Sequence, residues 1–345
     1  MGIDATKKTK EEGFERPVQE EALPDKSTIN LVTKKWNEYG LQEWEKANSK
    51  NKTWYDKYVL FRWWLMKFVH SGKVKDVYEL DDKNLLFHFT DRVSAYDVPM
   101  ITDIKGKGEI LCKFAEFWFN CLDSRNHMVR LDAKDKMVVR KLKMIPLECV
   151  VRGYLYGSLY ERYTSSRNIA DLGANLKIGS KLREPIFDPT TKSKIHDLPI
   201  SKDQILAKKI LTNDELGYVK DASIGLYRQM SEISNNAGFI MADVKFEFGK
   251  DPTTSEIILA DSLGPDEFRM WTIDSYKVGE EQVSYDKQYL RDWLTKVGFR
   301  DIVKQASEDG KKPIPPELPS DVINELLKRY SFVYEKISKI WIPDS

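Results

Sequence analysis

Asp243, Lys245 and Glu247 alternate with Val244, Phe246 and Phe248. A period of two puts the charged set on one face of an extended strand and the apolar set on the other, which no helix reproduces. The run Phe239 to Phe248 is followed by Gly249-Lys250-Asp251-Pro252, a turn composition, and then by a β-rich run at Glu256 to Ala260. That order predicts a hairpin with one face in a core and a row of charges on the other.

Other strand runs also come in pairs. Val74 to Leu80 and Leu85 to Thr90 flank the turn residues Asp81-Asp82-Lys83-Asn84, and further strands are expected at Met137 to Lys141 and Glu148 to Leu155. Three- and four-residue apolar spacing predicts helices at Gly108 to Cys121, Thr212 to Asn236 and Tyr285 to Val297. A last helix is expected after Ser320 as N-cap, with Ile323, Leu326, Leu327, Tyr330, Tyr334 and Ile337 inward. Paired strands without strict β-α-β alternation give an α+β class, and 345 residues suffice for one large core or two to three smaller ones.

Charge excludes some functions. Lys plus Arg is 55 and Asp plus Glu 54, a net +1, so no global field draws the chain to nucleic acid or anionic lipid. Three cysteines without a C-x-x-C pair, and four histidines, argue against a disulfide framework and zinc. The apolar stretch Tyr58 to Val69 is broken by Arg62 and Lys67 and falls short of a membrane span of about 20 residues. Residues 1–25 carry seven acidic side chains and no signal-peptide pattern, which reads as cytoplasmic. Met1-Gly2 with Thr6 matches a short myristoylation pattern, for which an ordinary unstructured start is the commoner reading. Residues 1–30 read as a mobile tail, and Leu31 to Trp64 as one or two amphipathic helices.

Several segments could carry chemistry. Two carboxylates flanking an ammonium, with Asp261 just past the hairpin, suit a Mg²⁺-nucleotide site, although alternation alone slightly favours a solvated sheet face. Ser71-Gly72-Lys73-Val74-Lys75 enters a strand with two lysines spaced to share one side, a weak phosphate signal that lacks the P-loop pattern. Gly106-x-Gly108 fits a turn and helix start better than a dinucleotide loop. Arg152 to Ser158 ends a strand in a small turn before a helix, which suits an anion pocket or simple turn chemistry about equally. His196-Asp197 could be a general-base pair or an ordinary surface pair.

Read in order, the blocks Gly72–Tyr78, Thr90–Val98, Gly106–Leu111, Ile145–Ser158, Glu184–Lys192, His196-Asp197, Ala242–Gly249, Pro265-Asp266 with Arg269 and Trp271, and Ser284–Trp293 resemble the SAICAR synthetase family of purine biosynthesis. Nine blocks in register span about residues 68–340. The resemblance implies an ATP-grasp-like or kinase-like α+β fold with antiparallel sheets and a C-terminal helical part. It divides the chain into an N-terminal extension (1–60), a small sheet domain over ATP (61–143), a larger α+β domain (144–275) and a helical part (276–345).

The activity it implies is ATP-dependent joining of 5-aminoimidazole-4-carboxyribonucleotide (CAIR) to L-aspartate, through an acyl phosphate, giving SAICAR, ADP and phosphate. ATP and Mg²⁺ are the implied cofactors, and the partners are small molecules, with no nucleic acid and no membrane. Gly72, Lys73, Lys75, Met144 and Glu148 would face ATP, with Lys192 approaching its phosphates. Glu247 and Asp261 would hold Mg²⁺. Arg152, Ser158 and Arg269 would clamp the 5′-phosphate of CAIR, and Asp97, Asp243 and Lys245 would face its imidazole and carboxylate, with Lys287 and Asp197 nearby. Among these, Asp243, Lys245, Asp197 and Lys192 are the catalytic candidates. Two departures are Ser262, where many members carry an acid, and Leu198-Pro199, where acidic or Asn residues are common. Rival readings are a kinase-like phosphotransferase and a non-catalytic nucleotide- or RNA-binding protein.

Overall fold

The alternating run becomes a central strand rather than the arm of an isolated hairpin. The computed structural model describes residues 66–166, 172–192 and 198–340, and all that follows concerns these. The chain divides into the units Met1–Met66 and Lys67–Ser345, of which the second is described below. The expected tail and helices of residues 1–64, the Gly2 site and His196-Asp197 lie outside the described residues.

Strands β1 (Lys67–Ser71), β2 (Lys75–Glu79) and β3 (Asn84–Phe89) lead through the short pair β4 (Ser94–Ala95) and β5 (Val98–Pro99) to helix α1 (Lys107–Cys121). Strands β6 (Met128–Ala133) and β7 (Lys136–Arg140) complete a five-stranded antiparallel sheet of order β1-β2-β3-β7-β6. Next come β8 (Lys143–Met144), β9 (Leu147–Tyr154), α2 (Gly157–Ser166), β10 (Lys181–Phe187), β11 (Thr190–Thr191), α3 (Lys202–Ala207) and α4 (Asn213–Asn236). The second sheet is finished by β12 (Phe239–Lys250), β13 (Ile257–Ala260) and β14 (Phe268–Thr272). Its order is β10-β9-β12-β13, with β11 on β9 and both β8 and β14 on β12. The chain closes with α5 (Gln288–Lys296), α6 (Phe299–Glu308) and α7 (Ser320–Ser338).

Antiparallel sheets with helices bear out the α+β class. On β12, Val244, Phe246 and Phe248 are buried in the same core as Val219, Leu226 and Met230 of α4, so the strand's apolar face lies under that helix. One core runs through both sheets, from Val77 and Phe89 to Val151 and Phe246, and takes in α1 and α7. No helix among the described residues is long and apolar enough to cross a membrane.

Two local expectations are corrected. Ser320 is the first residue of α7 rather than its N-cap; Pro319, extended at φ −62° and ψ 149°, takes that place because its ring holds the conformation in which a chain enters a helix. The turn after β12 also comes later than its glycine suggested. Gly249 and Lys250 still pair with Ile258 and Ile257, and the reversal forms where the Asp251 carboxylate accepts Thr253 N at 2.8 Å and Thr254 N at 3.1 Å. Strands β1 and β6, whose sequences alternate poorly, were not expected.

Candidate active site

The charged face of β12 organises three linked clusters. At its near end Asp243 stands opposite Arg152 of β9 and Arg269 of β14. Arg269 Nη1 donates to Asp243 Oδ2 at 2.6 Å, and Arg152 Nη1 lies 3.6 Å from the same oxygen. Arg152 also donates from Nε to Asp188 at 2.5 Å and from Nη2 to Ser158 Oγ at 3.1 Å. Helix α2 starts against this pair at Gly157, whose φ of 55° suits glycine and where a Cβ would come within 2.8 Å of Arg269 Nη2. Two guanidinium groups, a hydroxyl and a helix start form a pocket suited to a phosphate.

Further along the face Lys245 reaches Glu148 at 2.9 Å and Glu247 at 3.7 Å. Lys192, at the end of β11, pairs with Glu247. From the other sheet, Lys75 Nζ donates to Asp261 Oδ1 at 2.5 Å and to Ser262 Oγ at 2.8 Å, its ammonium lying over the Phe87 ring. Glu247 pairs across the ladder with Ala260, so Asp261 follows directly beside it. Burial alone would raise the Asp261 carboxyl, yet Lys75, Lys192 and Lys245 together hold it below the usual carboxylate range. Burial and then the Asp261 charge push the Glu247 carboxyl up. Two like charges are thus held side by side with three ammonium groups around them.

The third cluster is buried. Asp266 Oδ2 accepts from Lys107 at 2.9 Å and Lys287 at 3.2 Å, while Oδ1 accepts from Tyr330 Oη at 2.9 Å. Burial, partly offset by Asp266, brings Lys287 down to about 8, and burial followed by Asp266 raises Glu267 to about 7.

The expected residues therefore converge unevenly. Lys245, Glu247, Asp261, Lys192, Glu148 and Lys75 share one network, and Asp243, Arg152, Ser158 and Arg269 share the pocket beside it. Lys73 departs from expectation. Gly72 N donates to the Lys75 carbonyl at 2.7 Å, so residues 72–74 form a bend, and the two lysines part to different carboxylates instead of sharing one side of a strand. Lys73 reaches Asp97 at 2.5 Å, in a loop where Tyr96 and Asp97 have φ of 52° and 62°. Met144 lies exposed on β8, a short strand of the second sheet, opposite Gly249 of β12. Asp197 is outside the described residues. Gly106 and Gly108 do form a turn and helix start, their N–H groups donating to Asp91 Oδ1 at 3.1 and 3.0 Å.

One contributor gave no sequence signal. Buried His127, on the loop before β6, donates from Nε2 to the carbonyl of Asp261 at 3.0 Å, and Asp261 itself sits at φ 64°. Burial pulls this imidazole down to about 4, so it is neutral and acts as a fixed donor at the residue whose carboxylate Lys75 holds. Only a contact across 134 residues reveals it.

A family model described as SAICAR synthetase matches residues 68–306. Phosphoribosylaminoimidazole-succinocarboxamide synthase of Nitrosopumilus maritimus is 48% identical over 273 residues, covering 79% of this chain and 98% of that protein. The enzyme of the same description from Saccharomyces cerevisiae is 38% identical over 303 residues, covering 79% and 95%. Among solved structures, the Saccharomyces cerevisiae SAICAR synthase complexed with SAICAR superposes with a TM-score of 0.68 at 37% identity, covering 81% of this chain and 97% of that one. A type-2 SAICAR synthetase in complex with ADP gives 0.60 at 25% identity, covering 80% and 100%.

Proposed function

The chain belongs to the SAICAR synthetase family, and from that premise we propose the chemistry its charged strand face performs. The reaction is ATP-dependent condensation of the CAIR carboxylate with the amine of L-aspartate, giving SAICAR, ADP and phosphate in purine biosynthesis. The observation that carries the assignment of residues is the single network joining Lys75, Lys192 and Lys245 to Glu148, Glu247 and Asp261.

A carboxylate does not react with an amine until an oxygen becomes a leaving group, so the route we favour phosphorylates CAIR to an acyl phosphate that aspartate then attacks. The protein's part is positioning and charge neutralisation. Lys75 and Lys192 already hold carboxylates, and on nucleotide binding they would exchange these for phosphate oxygens. Lys245, whose charge Glu247 and Glu148 sustain against burial, would face the CAIR carboxylate and the phosphoryl group arriving on it. Arg152, Arg269 and Ser158 would hold the 5′-phosphate, with Asp243 between the two guanidinium groups setting their orientation. Asp97 would face the imidazole side, and Gly72, Lys73, Met144 and Glu148 would border the nucleotide.

Glu247 and Asp261 fit Mg²⁺. They are adjacent hard-oxygen donors, Glu247 being raised by burial and then by the Asp261 charge, and two carboxylates plus substrate phosphates are the usual Mg²⁺ set. Mg²⁺ bound there would neutralise charge on the ATP phosphates. On this reading residues 61–143 cover the nucleotide, 144–275 carry the acceptor site and 276–345 brace it, in the cytoplasm.

The test is ADP release by purified protein with Mg²⁺-ATP and CAIR, with and without L-aspartate, while following SAICAR. Aspartate-dependent release matched by product is expected. Asp261→Asn should cut turnover by about 10²- to 10³-fold while the protein keeps its native circular dichroism spectrum, the size associated with losing one preorganised electrostatic contact to a transition state. Release without aspartate would point to a phosphotransferase, and an active Asp261→Asn enzyme would remove the metal assignment.

A further inference from the structure

Strand β12 changes parity partway along. Phe239 and Met241 lie in the main core, and so do Val244, Phe246 and Phe248, so the inward set passes from odd to even positions. Ile240 and Ala242 pack instead with Tyr156 and Trp271, on the side where the charged row Asp243, Lys245 and Glu247 follows. A regular strand cannot do this, because its side chains alternate strictly.

The switch is a β-bulge. Met241 faces Met270 of β14 and Asp243 faces the adjoining Arg269, which leaves Ala242 as the extra residue. The ladder with β9 starts at Asp243, opposite Arg152. Without that residue, a strand that kept Phe239 and Met241 inward would turn Asp243, Lys245 and Glu247 into the core, where unpaired charges are prohibitive. The bulge therefore delivers the charged row to the site.

One side chain is placed to hold it. Buried Tyr227 of α4 donates from Oη to the Met241 carbonyl at 2.8 Å, arriving from the apolar side of the sheet. Burial pushes this hydroxyl well above its usual range, so it stays protonated. Gly153 of β9 makes the approach possible, since a Cβ there would overlap Tyr227 Oη. A bulge interrupts its ladder, and a buried carbonyl beside one needs its donor from elsewhere.

Resting on the reading of the arginine pocket as the CAIR phosphate site, we propose that Tyr227 is a positioning residue for Asp243. Its hydroxyl, passing over Gly153, pins the bulge that sets the Asp243 carboxylate between Arg152 and Arg269. Past Asp243 the strand is laddered to β9 and β13, so the effect is confined to the phosphate end of the site.

A double-mutant cycle on the full-length protein separates this role from general packing, with Y227F, D243N and the pair compared with wild type. Y227F keeps the ring and loses the donor. Calorimetric titration should show its CAIR dissociation constant raised about threefold to tenfold, with that of Mg²⁺-ATP within about twofold. In the D243N background Y227F should change CAIR binding by less than about twofold, because the group it positions is gone. Hydrogen exchange, which needs no ligand, should run about fivefold to a hundredfold faster in Y227F over residues 239–245 and stay unchanged in α7. Equal losses for both ligands, a loss for CAIR that persists in D243N, or unaltered exchange overturns the proposal. A Y227F protein without the wild-type circular dichroism spectrum overturns it too, since the hydroxyl would then support the fold at large. Wild-type protein that binds no CAIR removes the pocket reading instead, and exchange then still decides whether Tyr227 holds the bulge.

Discussion

His127 shows how one side chain can govern a site it never enters. Its ring lies edge-on to Phe87 and Phe119, with centroids 5.4 and 5.5 Å away, and its Nε2 donates to the Asp261 carbonyl. Folded, it titrates near 4; in the unfolded chain it would titrate near 6.5. As pH falls below about 6.5 the unfolded chain takes up the proton first, so stability is lost between about 6.5 and 4, on the order of 3 kcal/mol for this group. In His127→Phe the ring packing is kept and the titration removed. Denaturant melts should show wild type losing about 3 kcal/mol relative to His127→Phe as pH falls from 7 to 4; a stability difference that does not change with pH would sink the assignment. Sequence gave no warning of this residue, because an isolated His between unremarkable neighbours has no period or motif. Asp243, Lys245 and Glu247 were legible for the opposite reason, since alternation states which side each faces.

At the scale of elements, β12 is where most of the site becomes readable and where its stability is concentrated. It is paired along both edges, to β9 on one side and to β13 and β14 on the other. Phe246, fully buried beneath the charged row, anchors it. Phe246→Ala should cost about 3–5 kcal/mol, read as a fall in the denaturation midpoint, because a cavity adds to the lost transfer energy. A cost under about 1 kcal/mol would mean the strand's apolar face is not what seats it. The paired strands, α1 and α4 were all legible from period and turn chemistry. What the sequence left out is which strand joins which: the predicted hairpin forms between β12 and β13, but β12 also pairs with β9 and β14 inside a seven-stranded sheet, set by contacts far apart in the chain. The Lys73–Lys75 spacing misled because a backbone bend at Gly72 broke the strand period there.

Across the whole molecule the site sits where two sheets meet over a shared core, and Lys75 to Asp261 spans 186 residues of chain to join them. A ligand that replaces such links stabilises both sheets together. Mg²⁺-ATP at a hundred times its dissociation constant should add about 2.7 kcal/mol to unfolding as one transition. Calorimetry should show that rise abolished by a chelator and in Asp261→Asn; two separate transitions, or a rise that survives the chelator, would contradict it.

The connection from Ala260 to Phe268 carries more than its length suggests. Asp261 and Ser262 receive Lys75, Asp266 receives Lys107, Lys287 and Tyr330, and Arg269 follows at once on β14. Both ends are pinned by ladders on β12. This loop behaves as a ruler, and lineages descended from such a chain can exchange side chains along it but can hardly lengthen or shorten it. One inserted residue would slide Asp261, Asp266 and Arg269 out of step together. Evolutionary variation in this protein should therefore accumulate as substitutions here, and as insertions elsewhere.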